Sequence, residues 1–272
     1  MYKELRIAVV VPAYNEADRL TATLSTVPEF VDHIVVVDDG STDATFAVAT
    51  SCVRRGIDVL RHAENRGVGA AVATGYKRAL SLQSDVAVVM AGDGQMDPED
   101  VPVLLDPIAE GRADYVKGNR FAKKEVLGNM PLLRVCGNVA LSLVTRWTAG
   151  YPGLFDSQCG FTAVTRNTLG SIDLDGLYPR YGYPNDLLAR LWVSRARVLD
   201  VPVRTIYGAS WRSGITVKTA IYPVLFVAVK AWPWRLWTRW QNNKRAAVSQ
   251  MVTSFTSHGA GPPSRRHFFR RA

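Results

Sequence analysis

Residues 6–20 read RIAVVVPAYNEADRL. The opening run of small and β-branched apolar residues, halted at Pro12, reads as a strand buried on both faces. Tyr14 to Glu16 then turn polar, and a stretch of helical period follows over residues 16–27. The same order recurs. Residues 33–39 (HIVVVDD), 57–62 (IDVLRH) and 85–93 (DVAVVMAGD) are strand-like, and residues 42–54 and 67–82 are helical in period. Alternation of this kind predicts an α/β fold with a mostly parallel sheet and helices on both faces. Ligands of such sheets bind beyond the carboxyl ends of the strands. Polar residues gather at those ends, as Tyr14 to Glu16, Asp38 to Asp43 and Asp93 to Asp97.

From about residue 113 the pattern is mixed: a strand in ADYVKGNRF, a helix near 131–149, the segment DSQCGFTAVTR, a helix over 185–196 and a strand in VLDVPVRTIYG. No internal repeat is present. Three widely spaced cysteines, Cys52, Cys136 and Cys159, suit a reducing compartment better than a disulfide framework or a zinc site. The charged start MYKELR runs straight into the first strand and reads as lacking a secretory leader.

The net charge of +9 is uneven. Residues 201–272 hold twelve Lys or Arg and no acid, whereas the first 200 residues carry a net −3. Five of the seven tryptophans, Trp211, Trp232, Trp234, Trp237 and Trp240, share that basic quarter. Trp interleaved with Lys and Arg fits a membrane interface better than a groove that reads nucleic acid. The apolar stretch at 220–229 is too short for a bilayer span, which takes ~20 residues. It reads as interfacial helix, with core packing as the alternative. These features divide the chain into a catalytic-sized domain over 1–215, amphipathic interface helices over 216–241 and a basic, disordered tail over 242–272.

Carboxylates at strand ends accept hydrogen bonds from sugar hydroxyls and ring N–H groups, and they ligate hard cations. Each also has a structural reading: Ser41 and Asp43 suit turn and cap chemistry, and Asp97 suits the start of a helix with Pro98 in its first turn. Arg66 to Gly69 opens a helix either to offer N–H groups to phosphate or for close packing. His33 and His62 read as structural.

Six segments then occur in order: PAYNEADRL (12–20), VVDDGSTDAT (36–45), NRGVGAAVATGYKRAL (65–80), GDGQMDPED (92–100), GNRF (118–121) and DSQCGF (156–161). Together they resemble family 2 glycosyltransferases of the GT-A fold, most closely the dolichyl- and polyprenyl-phosphate mannosyl- and glucosyltransferases, over about residues 5–215. The resemblance implies a Rossmann-like GT-A domain and an inverting transfer of a hexose from a UDP- or GDP-linked sugar, assisted by Mg²⁺ or Mn²⁺. It implies Pro12, Tyr14 and Glu16 around the nucleobase, Asp39 on base or ribose, and Asp93 and Gln95 on the metal. Arg120 would approach the diphosphate or the acceptor phosphate, Arg134 matches a second family arginine, and Arg212 of WRSGI matches a basic acceptor region. Arg204 and Lys218 flank the same place. One position departs from the pattern: Ala91 stands where relatives carry the first Asp of Asp-x-Asp, so Asp93 acts alone or with Asp97.

A lipid phosphate is ionised at neutral pH and needs no general base, whereas a hydroxyl acceptor does. Asp186 is the candidate base, with helix capping as its structural alternative. The basic, Trp-rich tail points to polyprenyl phosphate at an anionic membrane surface, with the protein cytoplasmic and peripheral at the inner face. The rival readings are a transferase acting on a soluble or polysaccharide hydroxyl, and a non-catalytic binder of nucleotide sugar or nucleic acid. The acidic strand ends repel a polyanion that lacks a metal, so no nucleic acid is expected as partner.

Overall fold

The structure, a computed structural model, describes residues 1–122, 139, 142–146, 148–206, 233 and 236–237. The chain divides into two compact units, Met1–Arg235 and Leu236–Ala272. In the second unit, Leu236 and Trp237 are helical and exposed. Apart from Pro233, also helical and exposed, the remaining residues of the expected interface helices and tail lie outside the described residues.

In the first unit, β1 (Ile7–Ala13) leads to α1 (Ala17–Thr26), β2 (His33–Asp38) to α2 (Thr45–Ser51), and β3 (Ile57–Arg61) to α3 (Val68–Ser81). Then come β4 (Val86–Val89), α4 (Val101–Ala109), β5 (Tyr115–Asn119), β6 (Thr162–Thr165), α5 (Arg166–Ser171), α6 (Tyr183–Val193) and β7 (Val198–Pro202). The sheet order is β3-β2-β1-β4-β6-β5-β7. β6 runs antiparallel to both its neighbours, β4 and β5, while the other pairings are parallel. The α/β reading is thus confirmed, and the antiparallel strand lies in DSQCGFTAVTR.

The central strands β1, β2 and β4 are almost wholly apolar because both faces are covered. Ile7, Val9 and Val11 of β1 join Ile34 and Val36 of β2 in one core with Leu20 and Leu24 of α1 and Leu104 and Leu105 of α4. Ala8 and Val10 join Val35 and Val37 in the other, with Ala71 and Tyr76 of α3 and Leu187, Leu188 and Leu191 of α6. Period-two alternation therefore sorts residues between two cores rather than between core and water. Close packing explains two glycines. A Cβ on Gly75 would run into Val10, and one on Gly69 would meet the Tyr178 carbonyl and the Tyr183 side chain. Gly69 thus serves helix packing.

The observed α6, Tyr183–Val193, begins two residues before the expected 185–196 and ends three earlier. Its N-cap is Gly182 and Pro184 sits in its first turn, so Asp186 lies inside the helix and is not its cap. Residues 142–146 and 148–149 are helical, within the helix expected near 131–149. Among the described residues no helix is long and apolar enough to cross a membrane.

Candidate active site

β1 lies between β2 and β4, so its carboxyl end is flanked by both acidic loops. Asp39 N–H donates to the Ala13 carbonyl at 2.9 Å, and Gly92 N–H donates to the Pro12 carbonyl at 3.1 Å. These two bonds bring the 39 and 93 loops to either side of the Tyr14–Glu16 turn. Asn15 makes that turn, with φ at 54°, in the left-handed region that asparagine tolerates. Its N–H donates to Ser41 Oγ (3.0 Å) and its Oδ1 accepts from Thr42 N–H (2.9 Å). Glu16 N–H donates to Thr45 Oγ1 at 2.8 Å, and Ala17 N–H to Asp43 Oδ2 at 3.2 Å. Ser41 and Asp43 are the fasteners their turn chemistry suggests. Pro12 is buried at the end of β1, and Tyr14 is exposed beyond it.

Asp39 is 2% exposed and its carboxylate has three donors around it. Arg66 N–H (3.0 Å) and His62 Nδ1 (2.6 Å) meet Oδ1, and Gly67 N–H (2.7 Å) meets Oδ2. A carboxylate only accepts, so His62 carries its proton on Nδ1, leaving Nε2 facing Thr74 Oγ1 at 3.0 Å. Gly67 adopts φ 101°, and a Cβ there would strike the Pro179 carbonyl. The N–H groups of Arg66 and Gly67 therefore hold Asp39. Their alternative reading, as a phosphate cradle, is corrected.

Asp93 is half-buried, and its Oδ1 accepts from Gln95 N–H at 3.0 Å. Burial pushes its carboxyl above the usual range, against the Gln95 bond and the Arg19 charge. Glu16 is raised as well, first by burial and then by the charge of Asp93, while Arg19, 3.2 Å from Glu16 Oε2, opposes the rise. Tyr181, from the far wall, is raised by burial and then by the charges of Asp93 and Glu16. Glu16, Arg19, Asp93 and Tyr181 thus share one cleft. Asp93 and Arg19 also line a cavity of about 310 Å³, with Asp18, Thr23, Gln95 and Ile206. The 93 loop is held from several sides: Ala91 N–H donates to Met96 Sδ (3.3 Å), Thr23 Oγ1 to the Gly92 carbonyl (3.2 Å) and Ile206 N–H to the Gln95 carbonyl (2.9 Å).

Among the described residues no three His, Cys, Asp or Glu side chains gather as a metal cluster. Asp93 and Gln95 nevertheless offer a carboxylate and an amide oxygen, hard donors suited to Mg²⁺ or Mn²⁺. Such ions keep waters and substrate phosphates as further ligands. A cation there would also relieve the repulsion between Asp93 and Glu16, so the residues fit the ion. Asp97 is not a second ligand here. It caps the turn Pro98–Asp100 by accepting from Glu99 N–H, and its Oδ2 lies 3.1 Å from Arg204 Nε.

Arg204 corrects a second expectation. Rather than pointing at an acceptor, its guanidinium is enclosed by Asp97, Glu99 (3.1 Å) and Asp100 (3.0 Å). Asp186 also has partners that spacing did not reveal. Its Oδ2 accepts from Tyr178 N–H (2.9 Å) and Arg190 Nε (3.0 Å). Arg190 reaches on to the Asp173 and Gly176 carbonyls, so the pair props the 173–182 loop that carries Tyr181. Arg120 is gripped by Asp156 through Nε (2.7 Å) and Nη2 (2.9 Å). Arg134, Arg212 and Lys218 lie outside the described residues.

Asp200 on β7 accepts from Phe155 N–H at 2.6 Å. Burial pushes its carboxyl up to about 6, opposed by the Phe155 bond and the Lys117 charge and aided by the Asp156 charge. A carboxyl with a higher pKa folded than unfolded contributes stability that is full below about pH 4 and lost as pH rises through about 6. Asp200→Asn should therefore leave the melting temperature at pH 4 unchanged and raise it at pH 8, by about 2–4 °C per kcal/mol recovered. Melts at the two pH values check this, and an equal effect at both would count against it.

Comparison with known proteins agrees with this geometry. Residues 8–171 match the family model "Glycosyl transferase family 2". The UDP-N-acetylglucosamine–dolichyl-phosphate N-acetylglucosaminyltransferase of Methanococcus voltae is 30% identical, covering 74% of this chain and 86% of that protein. The undecaprenyl-phosphate mannosyltransferase of Micrococcus luteus is 31% identical over 87% of this chain and 97% of its own. The polyprenol monophosphomannose synthase of Mycolicibacterium smegmatis is 31% identical over 80% and 85%. Among solved structures, glucosyl-3-phosphoglycerate synthase of M. tuberculosis shares the fold at a TM-score of 0.63 and 22% identity, covering 85% of this chain and 81% of that one. A second structure of that enzyme, with Mn²⁺, uridine diphosphate and glucosyl-3-phosphoglycerate, superposes at a TM-score of 0.62 and 21% identity. With more than half its length inside the family model and several relatives matched nearly end to end, the chain belongs to glycosyl transferase family 2.

Proposed function

We propose that the protein transfers a hexose from a nucleoside-diphosphate sugar to a polyprenyl phosphate, with inversion, at the inner face of a membrane. The observation that supports this best is the cleft at the carboxyl edge of β1. There Asp39 N–H donates to the Ala13 carbonyl, Gly92 N–H donates to the Pro12 carbonyl, and Glu16 lies near enough to Asp93 for their charges to act on one another. The nucleoside lies along Pro12, Tyr14, Glu16 and Asp39, and the diphosphate beside Asp93 and Gln95, the residues that would hold Mg²⁺ or Mn²⁺. A bound cation supplies positive charge against the charge growing on the leaving diphosphate. An ionised oxygen of the acceptor phosphate attacks the anomeric carbon from the face opposite the nucleotide. The new carbon–oxygen bond forms as the bond to the diphosphate breaks, and Arg120 orients the acceptor. Arg134, Arg212 and Lys218 are assigned to the acceptor side, and the interface helices at 216–241 to the anionic lipid surface. The domain division at 215 and 241 belongs to the same reading.

The surroundings of Asp186 favour a phosphate acceptor over a hydroxyl. Its Oδ2 is already engaged by Tyr178 N–H and Arg190 Nε, which ties the side chain into the support of the 173–182 loop. Asp186→Asn should lower turnover less than tenfold with an unchanged pH–rate profile, checked by steady-state kinetics. A collapse of turnover together with loss of the acidic limb would restore the hydroxyl reading.

The proposal is tested by incubating the purified protein with labelled UDP- and GDP-sugars, Mn²⁺ and a short polyprenyl phosphate. One sugar should appear in the lipid fraction, with nucleoside diphosphate as co-product. Metal-dependent nucleotide release without lipid product would transfer the assignment to another acceptor.

A further inference from the structure

Lys117 is a fully buried charge that this mechanism leaves unused. It sits in the middle of β5 with no exposed surface, on the sheet face it shares with Tyr115 two residues earlier, and its Nζ donates to the Cys159 carbonyl. In the β5–β7 ladder Lys117 pairs directly with Asp200. Asp156, also fully buried, is near enough to Lys117 for the two charges to act on one another. Asp156 in turn grips Arg120 through Nε, Nη2 and the backbone N–H, the last at 3.1 Å. Phe155 and Asp156 are consecutive, so one short segment ties Asp200 to Arg120. The result is a buried cluster in which Asp200, Lys117 and Asp156 lie together and Asp156 holds Arg120.

A buried ammonium is expensive, and methionine would fill the same space without that penalty. The bidentate Asp156 bond fixes the plane of the Arg120 guanidinium, but it also neutralises the arginine toward any incoming anion. A second buried cation behind Asp156 offsets that loss. Burial pulls Lys117 below its usual pKa, while Asp156 and Asp200 help it keep its proton. Asp156 itself stays below the usual carboxylate range, since Arg120 and then Lys117 outweigh the effect of burial.

We propose that Asp156 and Lys117 are positioning residues that act through Arg120, Asp156 setting the orientation of its guanidinium and Lys117 preserving its attraction for the acceptor phosphate. This inference rests on the transferase reading given above.

The test is a double-mutant cycle, Lys117→Met against Arg120→Ala, with KM for donor and acceptor measured separately. Lys117→Met should raise the acceptor KM at least tenfold, leave the donor KM within about twofold, and add nothing in the Arg120→Ala background. Additive effects, or a fall in kcat with both KM values unchanged, would overturn the proposal. Asp156→Asn, of unchanged volume, runs through the same cycle and keeps the test open should Lys117→Met fold poorly. A readout independent of the acceptor is hydrogen exchange at Arg120 Nε–H, assigned by its loss in Arg120→Ala. Exchange should quicken at least tenfold in Asp156→Asn and should not quicken in Lys117→Met, and unchanged exchange in Asp156→Asn sinks the proposal. Wild-type protein that transfers nothing to polyprenyl phosphate, while exchange responds as expected, would refute only the acceptor assignment.

Discussion

Asp93→Asn should reduce sugar transfer by about a thousandfold, because metal charge stabilisation is worth several kcal/mol and each decade of rate is about 1.4 kcal/mol. The effect is large because the loop has little redundancy. Ala91 supplies no carboxylate, and Asp97 is taken up by the Glu99 N–H and Arg204. Asparagine can still accept from Gln95 N–H through its oxygen, so the loop keeps its shape while the formal charge is lost. The ties from Thr23, Ile206 and Met96 are untouched by the change. Transfer measured against Mn²⁺ concentration should show a maximal rate near background. The converse change, Ala91→Asp, should move the midpoint of that titration to lower Mn²⁺. Asp93→Asn retaining a tenth of wild-type activity would remove this residue from the reaction.

Legibility in the sequence followed the range of the interactions. Strands β1 to β4 and helices α1 to α3 were readable because each is specified by its own apolar pattern. Their boundaries moved by a few residues, as in α2, where Asp43 and Thr45 hold the turn that shortens the helix to Thr45–Ser51. The clustering of acidic loops was readable too, since a parallel sheet places all its βα turns at one edge. Partnerships between distant segments were not. Asp156 and Arg120 are thirty-six residues apart, and His62 reaches Asp39 across twenty-three. His62 lacked any metal-ligand spacing, yet it stands at the end of β3 beside a β2 end that carries an acid, and strand order alone would have paired them. Arg204 looked like a free cation because its three carboxylate partners come from a turn about a hundred residues earlier. The antiparallel β6 was hidden because direction in a sheet is set by crossovers, which the four residues TAVT do not record.

Asp39→Asn is the substitution expected to affect both scaffold and chemistry. Three donors converge on the carboxylate, two on Oδ1 and one on Oδ2. An asparagine amide has one accepting oxygen, so its NH₂ must face either Gly67 N–H or the pair formed by Arg66 N–H and His62. Either orientation leaves a buried donor unpaired, at a cost of about 1–3 kcal/mol. The loss of charge-assisted bonds adds to that. Melting should fall by about 2–4 °C for each kcal/mol lost. The damage also spreads toward the substrate. Gly67 holds the first turn of α3 against Pro179, whose carbonyl accepts from Ala70 N–H at 3.0 Å, and Pro179 leads to Tyr181 on the cleft wall. If Asp39 also meets the base or ribose, donor affinity measured well below the melting temperature should fall at least ~30-fold, about 2 kcal/mol at 1.4 kcal/mol per decade. His62→Gln provides the contrast, since it removes one donor while the carboxylate keeps Arg66 and Gly67, and it should lower the melting temperature with little effect on donor binding. A melting loss in Asp39→Asn with wild-type nucleotide affinity would make Asp39 a structural clasp for α3, leaving recognition of the nucleoside to Pro12, Tyr14 and Glu16.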